Sequence, residues 1–240
     1  MAVFVLIHGA AHGGWCWERV APLLEARGHR VFAPDLPGMG ADKTPHGELD
    51  AETWTSFLVG LMRSIAEPVI LVGHSRGGMQ ISAAAQAAPE LVRRLVYLAA
   101  FVPCDGQNNL ALAMEFCSAE LMQGAAAAMG GQGWTEGHAE SAFYNTTDDE
   151  WAARAKSMLG PEPMTTLMVP ASLSADRFGS VGKVYIECLE DRAIPLAGQR
   201  KMQEHAAFDR IIQLPTDHSS FYSAPELLAE ALCEAAAIPD

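Results

Sequence analysis

A run of four apolar β-formers passes into a glycine-rich turn at Val69-Ile70-Leu71-Val72-Gly73-His74-Ser75-Arg76-Gly77-Gly78. The turn has the form G-x-S-x-G, and residues 79–88 after it favour a helix. A serine between a strand and a helix lies in a strained turn, where only small neighbours let the two elements approach each other. Its hydroxyl then projects above the C-terminal edge of a sheet. The pattern predicts that Ser75 is a nucleophile.

Apolar runs of strand length alternate with segments of helical period along much of the chain, which is typical of a parallel sheet covered by helices on both faces. Apolar stripes at residues 58–65 and 228–235 have the spacing of one helix face, and Pro225 suits the start of the second helix. We therefore predict an α/β fold. The predicted strands are 3–8, 30–33, 69–73, 95–101, 183–189 and 210–214.

Residues 104–178 break this alternation, because they are rich in Ala, Met and Gly and contain helical patches but no convincing strand. We predict a helical cap at 104–178, inserted into one α/β core made of residues 1–103 and 179–240. A chain of 240 residues suffices for a single core of this kind. For the alanine run at 125–128 and Gly130-Gly131, a floppy loop is the alternative to an ordered cap.

The composition argues against polyanionic partners. The chain carries 16 Lys and Arg against 29 Asp and Glu, a formal net charge of −13. Since no basic cluster is longer than a pair such as Arg93-Arg94, a polyanion would be repelled over most of the surface. We therefore expect neither nucleic acid nor a membrane as a partner.

We expect a cytoplasmic protein without a metal or a cofactor. The apolar residues 2–7 lack a basic n-region, and no apolar run approaches the about 20 residues of a membrane span. The five cysteines are scattered without CxxC pairing, which is typical of free thiols. The eight histidines show no metal-binding spacing, and no glycine motif for phosphate binding follows a strand.

A nucleophilic serine needs a base, and the base needs an orienting carboxylate. In folds with this turn, the chain order is Ser, then acid, then His. Of the histidines after Ser75, His218 follows a predicted strand by a short polar loop and precedes the last helix, so it lies at the sheet edge where Ser75 lies. His138 falls in the predicted cap, and His205 falls in a helical segment. We predict His218 as the base.

Four carboxylates compete for the role of the acid. Glu187 lies within a predicted strand, and Asp217 abuts the histidine that it would have to orient, so both fit poorly. Asp191 lies just past the end of the strand 183–189, on the loop that faces the histidine. Glu190 is its rival, because a shift of one residue in register would exchange the two.

The oxyanion of the tetrahedral intermediate needs two hydrogen-bond donors, which backbone N–H groups supply without reorganisation. We expect one donor at Arg76, the residue after the nucleophile, and the other at Ala10 in the loop 8–15. The Arg76 side chain can pair with an acidic residue under the cap or hold a substrate carboxylate. We favour the pairing, since a buried arginine usually needs a partner.

Several short motifs occur in a fixed order: His8-Gly9-Ala10 with His12-Gly13-Gly14-Trp15, Ala33-Pro34-Asp35-Leu36 with Gly38, the turn at 73–78, Arg177-Phe178-Gly179-Ser180-Val181, Glu190-Asp191-Arg192-Ala193-Ile194-Pro195, and Asp217-His218. Together they resemble the plant methylesterase and hydroxynitrile lyase family and its bacterial carboxylesterase relatives, which include pyrethroid-hydrolase-like enzymes. The resemblance implies an α/β-hydrolase fold with a six-stranded parallel sheet, a small helical cap over the pocket and no cofactor. It also implies Asp191, not Glu190, as the acid.

The resemblance further separates two reactions. In the lyases of this family, a threonine follows the histidine of the first loop and a lysine follows the catalytic histidine, whereas this chain has Gly9 and Ser219. We therefore predict a serine carboxylesterase that acts on a small to medium, largely apolar ester through an acyl-enzyme. The alternatives are a hydroxynitrile lyase, a hydrolase of carbon–carbon bonds or lactones, and a receptor that binds its ligand without hydrolysis.

The expected partner is a small-molecule ester, and a homodimer is left open. The cap offers apolar side chains for an adaptable pocket lining. The predicted pocket residues are Gly9, His12, Phe101, Trp134, Phe143 and Ser219.

Overall fold

Parallel strands form one six-stranded sheet in a computed structural model that describes residues 1–50, 52–128, 134 and 137–239. The order across the sheet is β2-β1-β3-β4-β5-β6 for strands β1 (Val3–Ile7), β2 (Arg30–Phe32), β3 (Val69–His74), β4 (Val92–Leu98), β5 (Lys183–Cys188) and β6 (Arg210–Leu214). Every residue of β1, β3 and β5 is buried, as expected for strands covered on both faces. The prediction of a six-stranded parallel α/β sheet is confirmed.

One predicted strand is displaced. The strand predicted at 95–101 is observed at Val92–Leu98, three residues earlier. Ala99 has a positive φ of 41°, and the Phe101 N–H donates to the Ser75 carbonyl at 3.0 Å. These residues therefore leave the strand to wrap around the turn that carries Ser75. Residues 99–101 are apolar, as suits their burial at this turn. An apolar run in the sequence does not by itself distinguish such a segment from a strand.

Helices cover both faces of the sheet. Both predicted stripes form helices, since one falls in Thr53–Ile65 and the other in Pro225–Ala237, which begins with its proline. The described helices are α1 (Ala21–Ala26), α2 (Thr53–Ile65), α3 (Gly77–Ala87), α4 (Asn109–Phe116), α5 (Ala119–Ala127), α6 (His138–Phe143), α7 (Asp149–Met158), α8 (Met164–Leu167), α9 (Leu196–Gln203), α10 (Ser220–Ser223) and α11 (Pro225–Ala237). Within the described residues, no helix has the length and apolar character needed to cross a membrane.

The sheet separates two apolar cores. Because successive side chains of a strand point to opposite faces, Val5 belongs to the same core as Leu58 of α2, whereas Phe4 belongs to the other core with Leu228 of α11. The helices thus occupy both faces and leave the C-terminal edge of the sheet to the loops. Ligand sites of open α/β sheets lie at this edge.

The segment predicted as a cap contains α4 to α8 and, in its described part, no strand. The helix α5 (Ala119–Ala127) includes most of the alanine run for which a loop was the alternative. Gly130 and Gly131, the other part of that alternative, lie outside the described residues. The division at 104 and 178 into cap and core stays a prediction.

Candidate active site

Ser75 occupies a strained turn between β3 and α3. Its φ is +54°, in the left-handed region that non-glycine residues rarely adopt. The turn is held by the Ser75 N–H, which donates to the Leu98 carbonyl at 3.1 Å. A Cβ added at Gly73 would lie 2.7 Å from the Gly77 carbonyl oxygen, so the approach of strand and helix requires glycine there. The structure therefore has the local geometry that the G-x-S-x-G pattern predicts.

His218 and Asp191 form a buried pair on the loops after β6 and β5. The His218 Nδ1–H donates to Asp191 Oδ2 at 2.7 Å. The other carboxylate oxygen of Asp191 accepts the N–H groups of Ala193 and Ile194 at 2.7 and 2.8 Å. Burial raises the pKa of Asp191, and His218 opposes this rise. Glu190, the rival in the sequence, is exposed to solvent and makes no bond to His218.

The other ring nitrogen of His218 is available. Its Nε2 is buried and has no hydrogen-bond partner among the described residues. His74, the residue before Ser75, donates from Nε2 to the His218 carbonyl at 2.9 Å, and the two rings lie 4.5 Å apart. Phe143 stacks on the His218 ring at 5.6 Å. The fold thus brings His218 next to the turn that carries Ser75.

The loop after β1 packs directly against Ser75. A Cβ added at Gly9 would lie 2.9 Å from Ser75 Cβ, so a larger residue would displace the loop or the serine. In the described part of the chain, neither the Ala10 N–H nor the Arg76 N–H donates to a protein oxygen. Both predicted oxyanion donors are therefore unused by the protein itself.

His12 holds this loop by both of its ring nitrogens. Its Nδ1–H donates to the Ala10 carbonyl at 2.7 Å, and its Nε2 accepts the Tyr144 hydroxyl at 2.7 Å. Burial lowers the pKa of His12 to about 4, so the ring is neutral at neutral pH. His12 was predicted as a pocket residue, but it has no ring nitrogen left for a substrate. Its hydrogen bonds instead orient the peptide that carries the Ala10 carbonyl.

The Arg76 side chain is buried and paired. Its Nε lies 2.6 Å from Glu162 Oε1, its Nη2 donates to the Gly9 carbonyl at 3.1 Å, and its guanidinium lies 4.4 Å from the Trp54 ring centroid. Glu162 belongs to the predicted cap. The side chain therefore makes the pairing that was favoured above, and its charge is matched without a substrate carboxylate.

The remaining predicted pocket residues lie at different depths. The Phe101 N–H is hydrogen-bonded to the Ser75 turn, and Phe143 packs on the His218 imidazole. Trp134 lies farther out, since it contacts Phe143 with ring centroids 4.9 Å apart. Ser219 is fully buried, and its N–H donates to Asp217. Their role in substrate binding stays a prediction.

Asp217 has a structural role that the sequence did not indicate. Its Oδ2 accepts the Thr146 N–H at 2.9 Å and the Thr147 hydroxyl at 2.8 Å. Its Oδ1 accepts the Ser219 N–H and the Ser223 hydroxyl at 3.0 and 2.8 Å. Asp217 thus ties the predicted cap to the loop of His218. Its position next to His218 is visible in the sequence, but that position alone does not reveal a contact with residues 146 and 147.

Further residues around the site had no recognisable signal in the sequence. Glu162 and Tyr144 come from the predicted cap, and Gln199 of α9 donates to Asp191 Oδ2 at 3.3 Å. Glu162 and Tyr144 contact residues that lie 151 and 132 positions away in the chain, whereas Gln199 and Asp191 are 8 positions apart. Among the described residues, no group of three or more His, Cys, Asp or Glu side chains is arranged to hold a metal ion.

Comparison with known proteins identifies the family. The sequence model described as "Alpha/beta hydrolase family" matches residues 4–231. The chain belongs to the alpha/beta hydrolase family. This α/β-hydrolase is 35% identical to salicylic acid-binding protein 2 of Nicotiana tabacum, over 97% of this chain and 96% of the relative. It is 34% identical to methylesterase 1 of Arabidopsis thaliana, over 95% and 93% of the two chains.

The solved structures include a bacterial relative. The crystal structure of a pyrethroid hydrolase from Sphingobium faniae JZ-2 matches this α/β-hydrolase with a TM-score of 0.81 and 31% identity, over 98% of each chain. Plant methylesterases and a bacterial pyrethroid hydrolase are the relatives that the sequence motifs predict. The comparisons therefore confirm the resemblance, the fold and the prediction of a carboxylic ester hydrolase.

Proposed function

We propose that this α/β-hydrolase is a serine carboxylesterase that works through an acyl-enzyme on Ser75. The proposal rests on the hydrogen bonding of the two ring nitrogens of His218. Its Nδ1 donates to Asp191, whereas its buried Nε2 has no partner among the described residues. An imidazole held in this tautomer can take the proton of a neighbouring serine hydroxyl.

The reaction then follows from the residues at the sheet edge. Ser75 Oγ attacks the ester carbonyl carbon while its proton passes to His218 Nε2, and Asp191 stabilises the imidazolium. The N–H groups of Ala10 and Arg76 bind the oxyanion. The C–O bond to the alcohol breaks, and the alcohol leaves with the proton from His218. Water, deprotonated by His218, attacks the acyl carbon. The bond to Ser75 Oγ then breaks, His218 returns the proton to Ser75, and the acid is released.

We propose a small to medium, largely apolar ester as the substrate. The Ser75 residue is only 7% exposed, which favours a substrate that loses little hydration on entry. Phe143 supplies an apolar surface at His218, and the Arg76 charge is already matched by Glu162. The relatives named methylesterase and pyrethroid hydrolase support an ester as the substrate class.

A panel of p-nitrophenyl esters of increasing acyl length tests this proposal. We expect Ser75→Ala to lower kcat by at least about 10⁴-fold, whereas Ser64→Ala, at an exposed serine of α2, retains full activity. Intact-mass analysis after fluorophosphonate treatment should show one adduct on the wild type and none on Ser75→Ala. Hydrolysis at the wild-type rate by folded Ser75→Ala would overturn the mechanism.

Cyanohydrin cleavage is disfavoured at two positions. Gly9 is packed so closely on Ser75 that the lyase threonine would force a rearrangement, and Ser219 stands where the lyases carry their lysine. Hydrolysis of carbon–carbon bonds or lactones would use the same triad. Product analysis by mass spectrometry separates these reactions from ester hydrolysis.

We also propose that the reaction takes place in the cytoplasm. The support is the state of the cysteines, all five of which are free, with Cys16 and Cys188 buried. Free thiols are typical of proteins in reducing compartments. Cell fractionation with antibody detection tests this location.

A further inference from the structure

One peptide segment of the loop after β1 is held on both sides of Ala10. On the N-terminal side, the Gly9 carbonyl accepts the Arg76 guanidinium at 3.1 Å. On the C-terminal side, the Ala11 N–H donates to Glu162 Oε2 at 2.8 Å. Arg76 and Glu162 are themselves joined, with Nε and Oε1 2.6 Å apart. The ion pair thus bridges the two residues that flank the proposed oxyanion donor.

Ala11 needs this support because of its backbone. Its φ is +60°, a left-handed conformation that is unfavourable for alanine. The segment 160–162 of the predicted cap makes two hydrogen bonds to Ala11. The Gly160 N–H donates to the Ala11 carbonyl at 2.8 Å, and Glu162 accepts the Ala11 N–H. The strained residue beside the oxyanion donor is therefore fixed from the cap.

The arrangement of the ion pair suits positioning better than stability. Arg76 is 2% exposed, and burial raises the pKa of Glu162 and lowers that of Arg76, so both charges lose solvation. A buried ion pair contributes little net stability for this reason. The pair does, however, constrain the geometry, because the same planar guanidinium lies against Glu162 and donates a hydrogen bond to the Gly9 carbonyl. One carboxylate oxygen of Glu162 forms the ion pair with Arg76, and the other accepts the Ala11 N–H.

We propose that Arg76 and Glu162 are positioning residues of the oxyanion hole, which hold the Ala10 N–H at the place where the oxyanion develops. The proposal rests on the proposed esterase function. Arg76 then acts twice, since its own N–H is one donor and its side chain sets the position of the other. Glu162 makes the completed hole dependent on the cap.

Kinetics of Glu162→Ala and Arg76→Met test the proposal. A misplaced donor weakens binding of the transition state more than binding of the ester, so we expect kcat to fall by about 10–100-fold with little change in KM. The double variant should lose no more than the single ones, because the pair acts as a unit. Arg76→Lys keeps a positive charge in place of the planar guanidinium, and Glu162→Gln keeps an oxygen that can accept the Ala11 N–H. Each variant should therefore recover part of the loss.

A trifluoromethyl ketone inhibitor provides a readout that stability does not affect. Ser75 adds to its carbonyl, and the resulting oxyanion occupies the hole. We expect its affinity to fall in parallel with kcat/KM across the variants, as for any analogue of the transition state. The control is Arg154→Gln, which breaks an ion pair between the predicted cap and Glu18 without touching the loop and should keep wild-type affinity.

The outcomes separate this proposal from the proposed function. The positioning role would be overturned if Glu162→Gln and Arg76→Lys kept wild-type kcat and inhibitor affinity, and if Glu162→Ala, provided that it folds, did the same. A lower melting temperature of these variants would not change that conclusion. A wild-type protein that neither hydrolyses esters nor reacts at Ser75 would overturn the esterase function. Loss of activity together with a matching loss of inhibitor affinity supports the positioning role.

Discussion

The Nδ1 atom of His218 lies 2.7 Å from Oδ2 of Asp191, and the neighbouring Glu190 points to solvent. The pair is closed off from water, and backbone N–H groups hold the second oxygen of the carboxylate. This arrangement keeps the proton on Nδ1 and leaves Nε2 to accept one. The tautomer of His218, and with it the chemistry proposed for Ser75, depends on which of two adjacent acidic residues turns inward.

Asp191→Asn should therefore lower kcat by about 10⁴-fold while the fold is retained. The amide no longer requires a proton on Nδ1, so the imidazole loses the tautomer in which Nε2 is a base. Steady-state kinetics with an activated ester measures the loss. Glu190→Gln is the matched control and should keep wild-type kcat, since Glu190 is exposed. Equal losses in the two variants would contradict the assignment of Asp191.

Removal of the Asp217 carboxylate should affect both stability and turnover. Asp217→Ala leaves four donors without their acceptor, and each one that stays buried costs about 1–3 kcal/mol. We expect a lower free energy of unfolding in urea and a lower kcat, because the loop of His218 is no longer tied to Thr146 and Thr147. Asp176→Ala, at an exposed position of the chain, should change neither. A stable and fully active Asp217→Ala would show that the tie is dispensable.

Buried neutral histidines should make the protein less stable as the pH falls. Burial lowers the pKa of His12 to about 4 and that of His8 to about 3 from the ordinary value of 6.5. At a pH between the ordinary pKa of a histidine and its lowered pKa in the folded protein, the unfolded chain binds a proton that the folded chain does not. The stabilisation is therefore present above pH 6.5 and declines as the pH drops toward 4. Each such histidine contributes up to about 1.4 kcal/mol per pH unit.

Urea unfolding at pH 7 and pH 5 measures this dependence. His12→Gln removes one of the titrating groups and should make the loss of stability between the two pH values smaller than in the wild type. The same loss in both proteins would contradict a neutral buried His12.

The sequence contains strong local signals for most of the fold and for two members of the site. Strand periodicity and burial act over a few residues, so five of the six strands were predicted to within one residue at each end. The bounds predicted for the strand at 95–101 were wrong by three residues, because residues 99–101 are apolar and buried but lie beside the Ser75 turn, outside the strand. Asp191 and Glu190 are adjacent residues of the same chemistry, so in the sequence only the family resemblance distinguishes the acid from its neighbour.

Taken alone, the sequence determined that Ser75 lies in a turn between a strand and a helix and that His218 follows a later strand of the same sheet. Both follow from interactions between near neighbours in the chain. Only the tertiary structure decided what surrounds Ser75. Glu162 bonds to Ala11 across 151 positions, and no local pattern encodes such a contact. That contact forms only when the segment 160–162 packs against the loop after β1, where Glu162 also supplies the counter-charge for the buried Arg76 guanidinium.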